Sequence, residues 1–352
     1  MRIRSVRNLL AAGVLAAGLL IPGASASAAG LPMPFTATVN GCSVQGGGEG
    51  PGRIVQRSAT GARKISLTPT STGSSWFAIC ANVALVPGDT LTFLDTSDPQ
   101  HPTLIQKVTI PTFTAVTDRR LAKVTGIAKG ASKVPVALQE CLVFFIGCPT
   151  QDFGDIATGA GGSYTYAPAK AVTGLWQAVL THSVGDLSLY LYAGFPRLLT
   201  TLGSAAVTGV ASPGQAVVVR VDRAGHAAAL TTAGSAWRTY QGATKRNGAA
   251  RKLAAGDRVR WWLAGKLQAD FTVPALDMDI KPAHTSGHCF PDAGVRVLAT
   301  KPGGPDQAYA IGSTASDGTF DVSLSIPLGW NVVVECRTTM GDAVQLVGVA
   351  GG

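Results

Sequence analysis

Residues 312–326 read G-S-T-A-S-D-G-T-F-D-V-S-L-S-I, and this stretch decides the fold class. Asp317-Gly318 is a turn signal, because glycine takes positive φ without a Cβ penalty. Beyond it Phe320, Val322, Leu324 and Ile326 fall on one face, and Thr319, Asp321, Ser323 and Ser325 on the other. A period of two describes a strand with one side in a core and one in water. Residues 158–166, T-G-A-G-G-S-Y-T-Y, repeat the design, with a turn at Gly161-Gly162 and aromatic residues at alternate positions. Val217, Val219 and Val221 alternate in the same way with Val218, Arg220 and Asp222. No segment holds a 3.6-residue period for three turns, so the chain is expected to be all-β.

Composition agrees. With 43 Gly, 20 Pro and only 14% charged residues, the chain suits short strands joined by tight turns. Its 46% hydrophobic content and repeated alternation exclude a low-complexity linker, which lacks the apolar surface to fold.

Arg2, Arg4 and Arg7 precede an apolar run from Leu9 to Ile21 and two small-x-small sites, Ala24-Ser25-Ala26 and Ala26-Ser27-Ala28. This is the pattern of a secretory signal peptide over residues 1–28. The run falls short of the roughly 20 apolar residues a membrane-spanning helix needs. The mature protein is therefore expected to be secreted or held at a cell surface, with no membrane span and no sorting motif at its C-terminus. Six cysteines, Cys42, Cys80, Cys141, Cys148, Cys289 and Cys336, are an even count in an exported chain and point to disulfides. Six allow 15 pairings. Pairing neighbours, Cys42 with Cys80, Cys141 with Cys148 and Cys289 with Cys336, keeps each bridge inside one candidate module.

Four modules are expected after the signal peptide, at 30–118, 119–202, 203–276 and 277–352. The halves echo each other: Val39-Asn40-Gly41 answers Val207-Thr208-Gly209, and Trp76 answers Trp237. Pro87-Gly88-Asp89 answers Ala255-Gly256-Asp257, and Thr109-Ile110-Pro111 answers Thr272-Val273-Pro274. These offsets, together with that of Gly161-Gly162 from Asp317-Gly318, imply a duplicated two-module unit.

The fourth module, with C-F-P-D-A-G-V-R-V, S-T-A-S-D-G-T-F-D-V and I-P-L-G-W-N-V-V-V, resembles the carboxypeptidase-regulatory-like β-sandwich. The second module is assigned to the same type through the echo at Gly161-Gly162. The first and third, with V-T-G-V-A-S-P-G-Q-A-V and a central Trp, resemble the bacterial immunoglobulin-like repeats of secreted and cell-surface proteins. The Cys, Trp, Cys order of antibody domains with Trp midway is not present, as Trp76 and Trp330 sit close before their second Cys, so the resemblance is to the general sandwich. It implies an adhesive, spacer or ligand-binding role without catalytic machinery.

Enzyme signatures are missing: there is no G-x-S-x-G elbow, Walker loop or H-E-x-x-H. The loop at 46–52 lacks the Lys-Ser/Thr pair of a phosphate cradle and is expected to be a flexible hairpin loop. Asp277, Asp279, His284 and His288 resemble a metal cluster in composition, but Lys281-Pro282 interrupts them, and no metal or other cofactor is assigned.

Charge is uneven. Residues 203–276 hold ten Lys and Arg against three Asp, whereas 277–352 hold four against eight acids. In R-V-R-W-W-L, Val259, Trp261 and Leu263 share one face, and Arg258, Arg260 and Trp262 the other. A solvent-facing Trp between arginines is a stacking platform with cationic flanks. Arg258, Arg260, Trp262, Arg238, Lys245 and Arg246 are accordingly the candidate ligand-binding residues. The competing account packs Trp262 against the next module and leaves the arginines as a solvated face. The expected partners are cell-wall or extracellular polysaccharide, or another surface protein. Nucleic acid is not expected, since no base-reading motif is present. The leading function is a non-catalytic adhesive or binding scaffold. The alternative is a carbohydrate- or polyanion-binding accessory protein that uses the third module.

Overall fold

A computed structural model describes residues 35–351 apart from 42, 49, 51, 73, 80–82, 141–147, 170, 236 and 237. The signal peptide and Cys42, Cys80 and Cys141 lie outside the described residues. Nearly all the regular structure is strand, in six sheets.

One seven-strand pattern recurs four times. In the first sandwich β1 (Phe35–Val39), β2 (Ser43–Gly47) and β6 (Ser75–Ile79) form one sheet, with β5 (Thr70–Thr72) at its edge. Its other sheet is β3 (Arg53–Arg57), β4 (Arg63–Leu67), β7 (Thr90–Asp95) and β8 (Thr103–Thr109). The second sets β9 (Phe113–Asp118), β10 (Lys123–Ala128) and β13 (Ser163–Tyr166) against β11 (Lys133–Glu140), β12 (Thr150–Ala157), β14 (Trp176–Val184) and β15 (Leu187–Gly194). The third sets β16 (Arg197–Thr201), β17 (Ala206–Val210) and β20 (Thr239–Ala243) against β18 (Ala216–Arg223), β19 (His226–Ala233), β23 (Arg258–Leu263) and β24 (Lys266–Thr272). A hairpin of β21 (Lys245–Arg246) and β22 (Ala249–Ala250) extends that second sheet beyond β19. The fourth sets β25 (Asp277–Ile280), β26 (His284–His288) and β29 (Thr319–Ser323) against β27 (Gly294–Thr300), β28 (Gln307–Ser313), β30 (Asn331–Arg337) and β31 (Ala343–Val349). All four share one topology, so the second and fourth do not differ in strand order from the first and third. β9 is hydrogen-bonded to β10, and β16 to β17. The boundaries expected at 118/119 and 202/203 thus fall after strands that pair forward.

The alternation that marks strands in the sequence is met in space. Phe320, Val322, Leu324 and Ile326 are buried, and Gly318 has φ 87° at the turn before them. A Cβ on Gly318 would lie 2.7 Å from the carbonyl oxygen of Cys289, and one on Gly162 2.4 Å from that of Ala128, so both turns need glycine for the same reason. A second recurrence is less visible in the sequence. Gly46, Gly126, Gly209 and Gly287 stand directly across from Trp76, Tyr164, Tyr240 and Phe320, all buried. The Tyr164 hydroxyl crosses Gly126 to donate to Thr114 O (2.6 Å), and Tyr240 crosses Gly209 to donate to Arg197 O (3.1 Å). At Gly46, Gly126 and Gly209 the missing side chain makes room for the ring, and at Gly287 for the backbone of Asp277. Gly46 therefore lies in β2, not in a flexible loop. It is Val44-Gln45-Gly46 that answers Val207-Thr208-Gly209, with Trp76 in the place of Tyr240, while Trp237 lies outside the described residues. Asp89 and Asp257 match fully: each is buried and accepts a backbone N–H three residues back, from Val86 and Ala254. Each also holds a cation, Lys64 at 2.7 Å and Arg223 at 2.6 Å.

The sandwiches are fused in pairs. β1 runs parallel to β15, and β16 parallel to β31, so the first strand of each half joins the last strand of the same half. The result is an eight-stranded sheet across the first two sandwiches and a seven-stranded sheet across the last two. One apolar core runs from Phe35 to Phe195, and a second from Leu198 to Ala350. In the second core Cys289 and Cys336, both buried, form the expected disulfide between the two sheets. Cys148 is also disulfide-bonded.

Arg119, in the turn between β9 and β10, joins the two halves. Its side chain is fully buried, and Nη1 and Nη2 donate to the two carboxylate oxygens of Asp342 at 3.0 and 2.8 Å. Further bonds go to Met340 O and Gln268 O, and the guanidinium stands 5.2 Å from the centre of the Trp261 ring. Asp342 also accepts the Leu198 N–H at 2.8 Å. Removing one member of such a pair leaves the other charge buried and uncompensated. Arg119→Leu is expected to lower unfolding stability by about 3–5 kcal/mol in urea titrations. Arg120→Ala, on the exposed neighbour that donates to Leu267 O, should lose about 1 kcal/mol or less.

Candidate functional site

The outward face of the third sandwich is built in rows. β18 pairs with β23 so that Arg220 lies across from Arg260, Asp222 from Arg258 and Val218 from Trp262. β24 places Asp270 across from Arg260, and β19 places Ala229 across from Arg220. Lys245 of β21 lies across from Ala229. The inward residues Val259, Trp261 and Leu263 are buried, so alternation delivers Arg258, Arg260 and Trp262 to one face as the sequence predicts.

These arginines are paired with carboxylates. Arg258 forms a two-point pair with Asp270, at 2.7 and 2.6 Å. Arg260 donates to Asp222 at 2.6 Å, and Arg220 reaches the other oxygen of that carboxylate at 2.8 Å. Burial opposes ionisation of Asp222, but the bonds from Arg260 and Arg220 outweigh it and hold its pKa below the ordinary carboxylate value. Asp270 is lowered by Arg258. Burial also resists the charge on Asp257, where Arg223 and the Ala254 N–H overcome it and lower the pKa. Trp262 is half-buried, with the Arg260 guanidinium 5.8 Å from its ring centre. The platform is present, and its flanking arginines are already engaged with carboxylates.

Arg238 is not on this face. It is buried and donates to Ala115 O of the second sandwich and to Ser212 Oγ. Burial pushes its pKa down to about 10. It serves the junction between sandwiches, and its side chain is closed to a ligand. Lys245 and Arg246 are exposed on the added hairpin, beside Arg251 and Lys252, which the sequence reading did not single out. The clue lay in the sequence, since no Asp or Glu occurs from 223 to 256. The four residues resembling a metal cluster separate into pairs. His288 meets Asp277 at 3.0 Å, His284 meets Asp321 at 3.2 Å, and Lys281 meets Asp279 at 3.0 Å.

No protein-family model matches this chain, and no curated protein does either. Among solved structures, the tetra-tandem repeat in the extending region of a large adhesion protein is 14% identical, over 90% of this chain and 98% of that one, with a TM-score of 0.17. The BSP domain of a biofilm associated protein is 9% identical over 94% and 100%, with a TM-score of 0.19. The FN1–FN3 domains of chicken CNTN1 are 8% identical over 68% and 98%, with a TM-score of 0.16. TM-scores this low do not establish a common overall shape.

Lowered carboxylate pKa values make the third sandwich acid-sensitive. Asp222, Asp257 and Asp270 bind protons more weakly folded than unfolded, so their contribution is complete above the unfolded value, near pH 4, and is lost as pH falls through the folded values. The thermal midpoint should be flat from neutral pH down to about 4.5 and fall below about 4. Arg223→Gln should weaken that acid dependence, as followed by circular dichroism at a series of pH values.

Proposed function

We propose that this chain is a secreted, non-catalytic scaffold of the cell surface or extracellular matrix, which holds binding faces at fixed positions. The observation that supports this most is the joining of four sandwiches without free linkers. Shared sheets fuse neighbours within each half, and Arg119 and Arg238 tie the halves together. Such a unit transmits load and presents its faces in a fixed relation. An interior void lined by Ser43, Ile54, Gln56 and Leu85 is about 10 Å³, room for a single water.

A second reading makes the third sandwich a carbohydrate-binding face. Its support is Trp262, half-open to solvent beside Arg260, with Asp222 and Arg258 farther along the same outward face to hydrogen-bond sugar hydroxyls while the ring stacks.

Cell fractionation tests the scaffold reading. Cells exporting the full chain should retain it at the envelope or in the matrix, and deleting its gene should weaken attachment to surfaces or to neighbouring cells. Recovery of all the protein in the medium, with attachment unchanged by the deletion, contradicts the scaffold.

A further inference from the structure

The third sandwich contains three carboxylates, and all three are engaged: Asp222 with Arg220 and Arg260, Asp257 with Arg223, and Asp270 with Arg258. The module's surplus positive charge therefore lies mostly away from the Trp262 face, where three arginines meet two carboxylates. It lies on the hairpin K-R-N-G-A-A-R-K, residues 245–252, where among the described residues Lys245, Arg246 and Lys252 have no carboxylate partner, and Arg251 feels Asp257 only as a second cation beyond the bonded Arg223. Arg246 donates to His226 Nδ1 (3.1 Å) and Arg251 to His226 O (2.6 Å), bonds that place the guanidinium groups without neutralising them. Arg223 lies at the base of the hairpin and donates to Lys252 O at 3.0 Å, its side chain half-exposed.

The hairpin is built to stand out from the sheet. Asn247 and Gly248 have φ of 50° and 81°, as a tight two-residue turn requires, and Lys245 pairs with Ala250 and Arg246 with Ala249. Its root is fixed: Thr244 is buried and bonded to Ala205 O and Arg251 O, and Leu253 is buried and bonded to Ser204 O. Successive strand residues point to opposite sides, so Lys245 and Arg246 project from the two faces of the finger. Lys245 shares the outward row with Ala229 and Arg220, and Ala229 leaves low ground between the two longer side chains.

The same connection differs in the other three sandwiches. Between the strands equivalent to β20 and β23 the chain runs through 80–89, 167–175 and 324–330, against 244–257 here. The longer segment holds four cations, and its one acid, Asp257, is buried at its end and bonded to Arg223.

We propose that the 245–252 hairpin is a docking finger for an anionic polysaccharide, held through repeated carboxylate or sulfate groups. This rests on the reading of the protein as an extracellular binding scaffold, and it moves the binding residues from Arg258, Arg260 and Trp262 to Lys245, Arg246, Arg251 and Lys252. The finger carries no aromatic side chain on which a base might stack, which favours a glycan over nucleic acid. Binding through charge alone weakens steeply with salt.

The test is titration of the full chain with polyglucuronate, dextran sulfate, neutral dextran and a DNA oligonucleotide at several salt concentrations. Saturable, salt-sensitive binding of at least one anionic glycan is expected, with none to neutral dextran. The variant carrying Lys245→Gln, Arg246→Gln, Arg251→Gln and Lys252→Gln should bind at least about ten-fold more weakly, and Lys107→Gln, on an exposed lysine of β8, within about two-fold of the parent. Unchanged circular dichroism of the four-fold variant excludes misfolding as the cause, and Lys245→Gln with Lys252→Gln alone should give an intermediate loss. Binding lost with Trp262→Ala but retained by the four-fold variant overturns the finger and leaves the extracellular binding role standing. DNA bound as tightly as the glycans, through the same residues, overturns the glycan assignment. Binding to none of the polymers, with retention at the cell surface intact, overturns the finger alone; loss of retention as well overturns both.

Discussion

A buried ion pair is the strongest tie between the halves of this protein. Arg119 leaves the second sandwich in a turn, yet both of its terminal nitrogens are bonded to groups of the third and fourth: Gln268 O, Met340 O and the carboxylate of Asp342. Two charges taken out of water repay their desolvation only where geometry and extra hydrogen bonds are good, and this pair has both. Asp342 in turn fixes the start of β16 through Leu198, and Trp261 lies beneath the guanidinium. One ion pair thereby sets the relation between a turn of the second sandwich, a turn of the fourth, and a strand and a core aromatic of the third.

Within each half the constraint is different. The parallel pairing of first and last strands turns two sandwiches into one continuous sheet over one apolar core. A strand that would otherwise be an exposed edge, open to pairing with another chain, is covered by its neighbour. The cooperative unit is then the pair of sandwiches, and the duplication visible in the sequence is the duplication of that pair.

Much of the strand architecture was legible because a half-buried strand must alternate, as in Phe320 to Ile326 and Val217 to Val221. The paired turns at Gly162 and Gly318 were legible because each needs glycine against a backbone oxygen. The alignment of Val39-Asn40-Gly41 with Val207-Thr208-Gly209 missed by one strand, because a V-x-G triplet does not reveal which aromatic faces its glycine. Sandwich boundaries were hard to place because β9 and β16 pair with strands that follow them, and pairing partners leave no local mark. At the candidate site, alternation delivered Arg258, Arg260 and Trp262 correctly to one face. Net charge per segment could not show that Asp222 and Asp270 sit among those arginines, nor that Arg238 turns inward. Where carboxylates lie decides which cations remain available, and that is a property of sheet register.

The central claim is that each half folds as one body, and scanning calorimetry of the full chain tests it most directly. Two cooperative transitions, or one merged from them, are expected. By the usual specific enthalpy near 60 °C, each half of roughly 160 residues should absorb about 110 kcal/mol with equal calorimetric and van't Hoff values. Four separable transitions of about half that enthalpy would show four independent sandwiches and contradict the account.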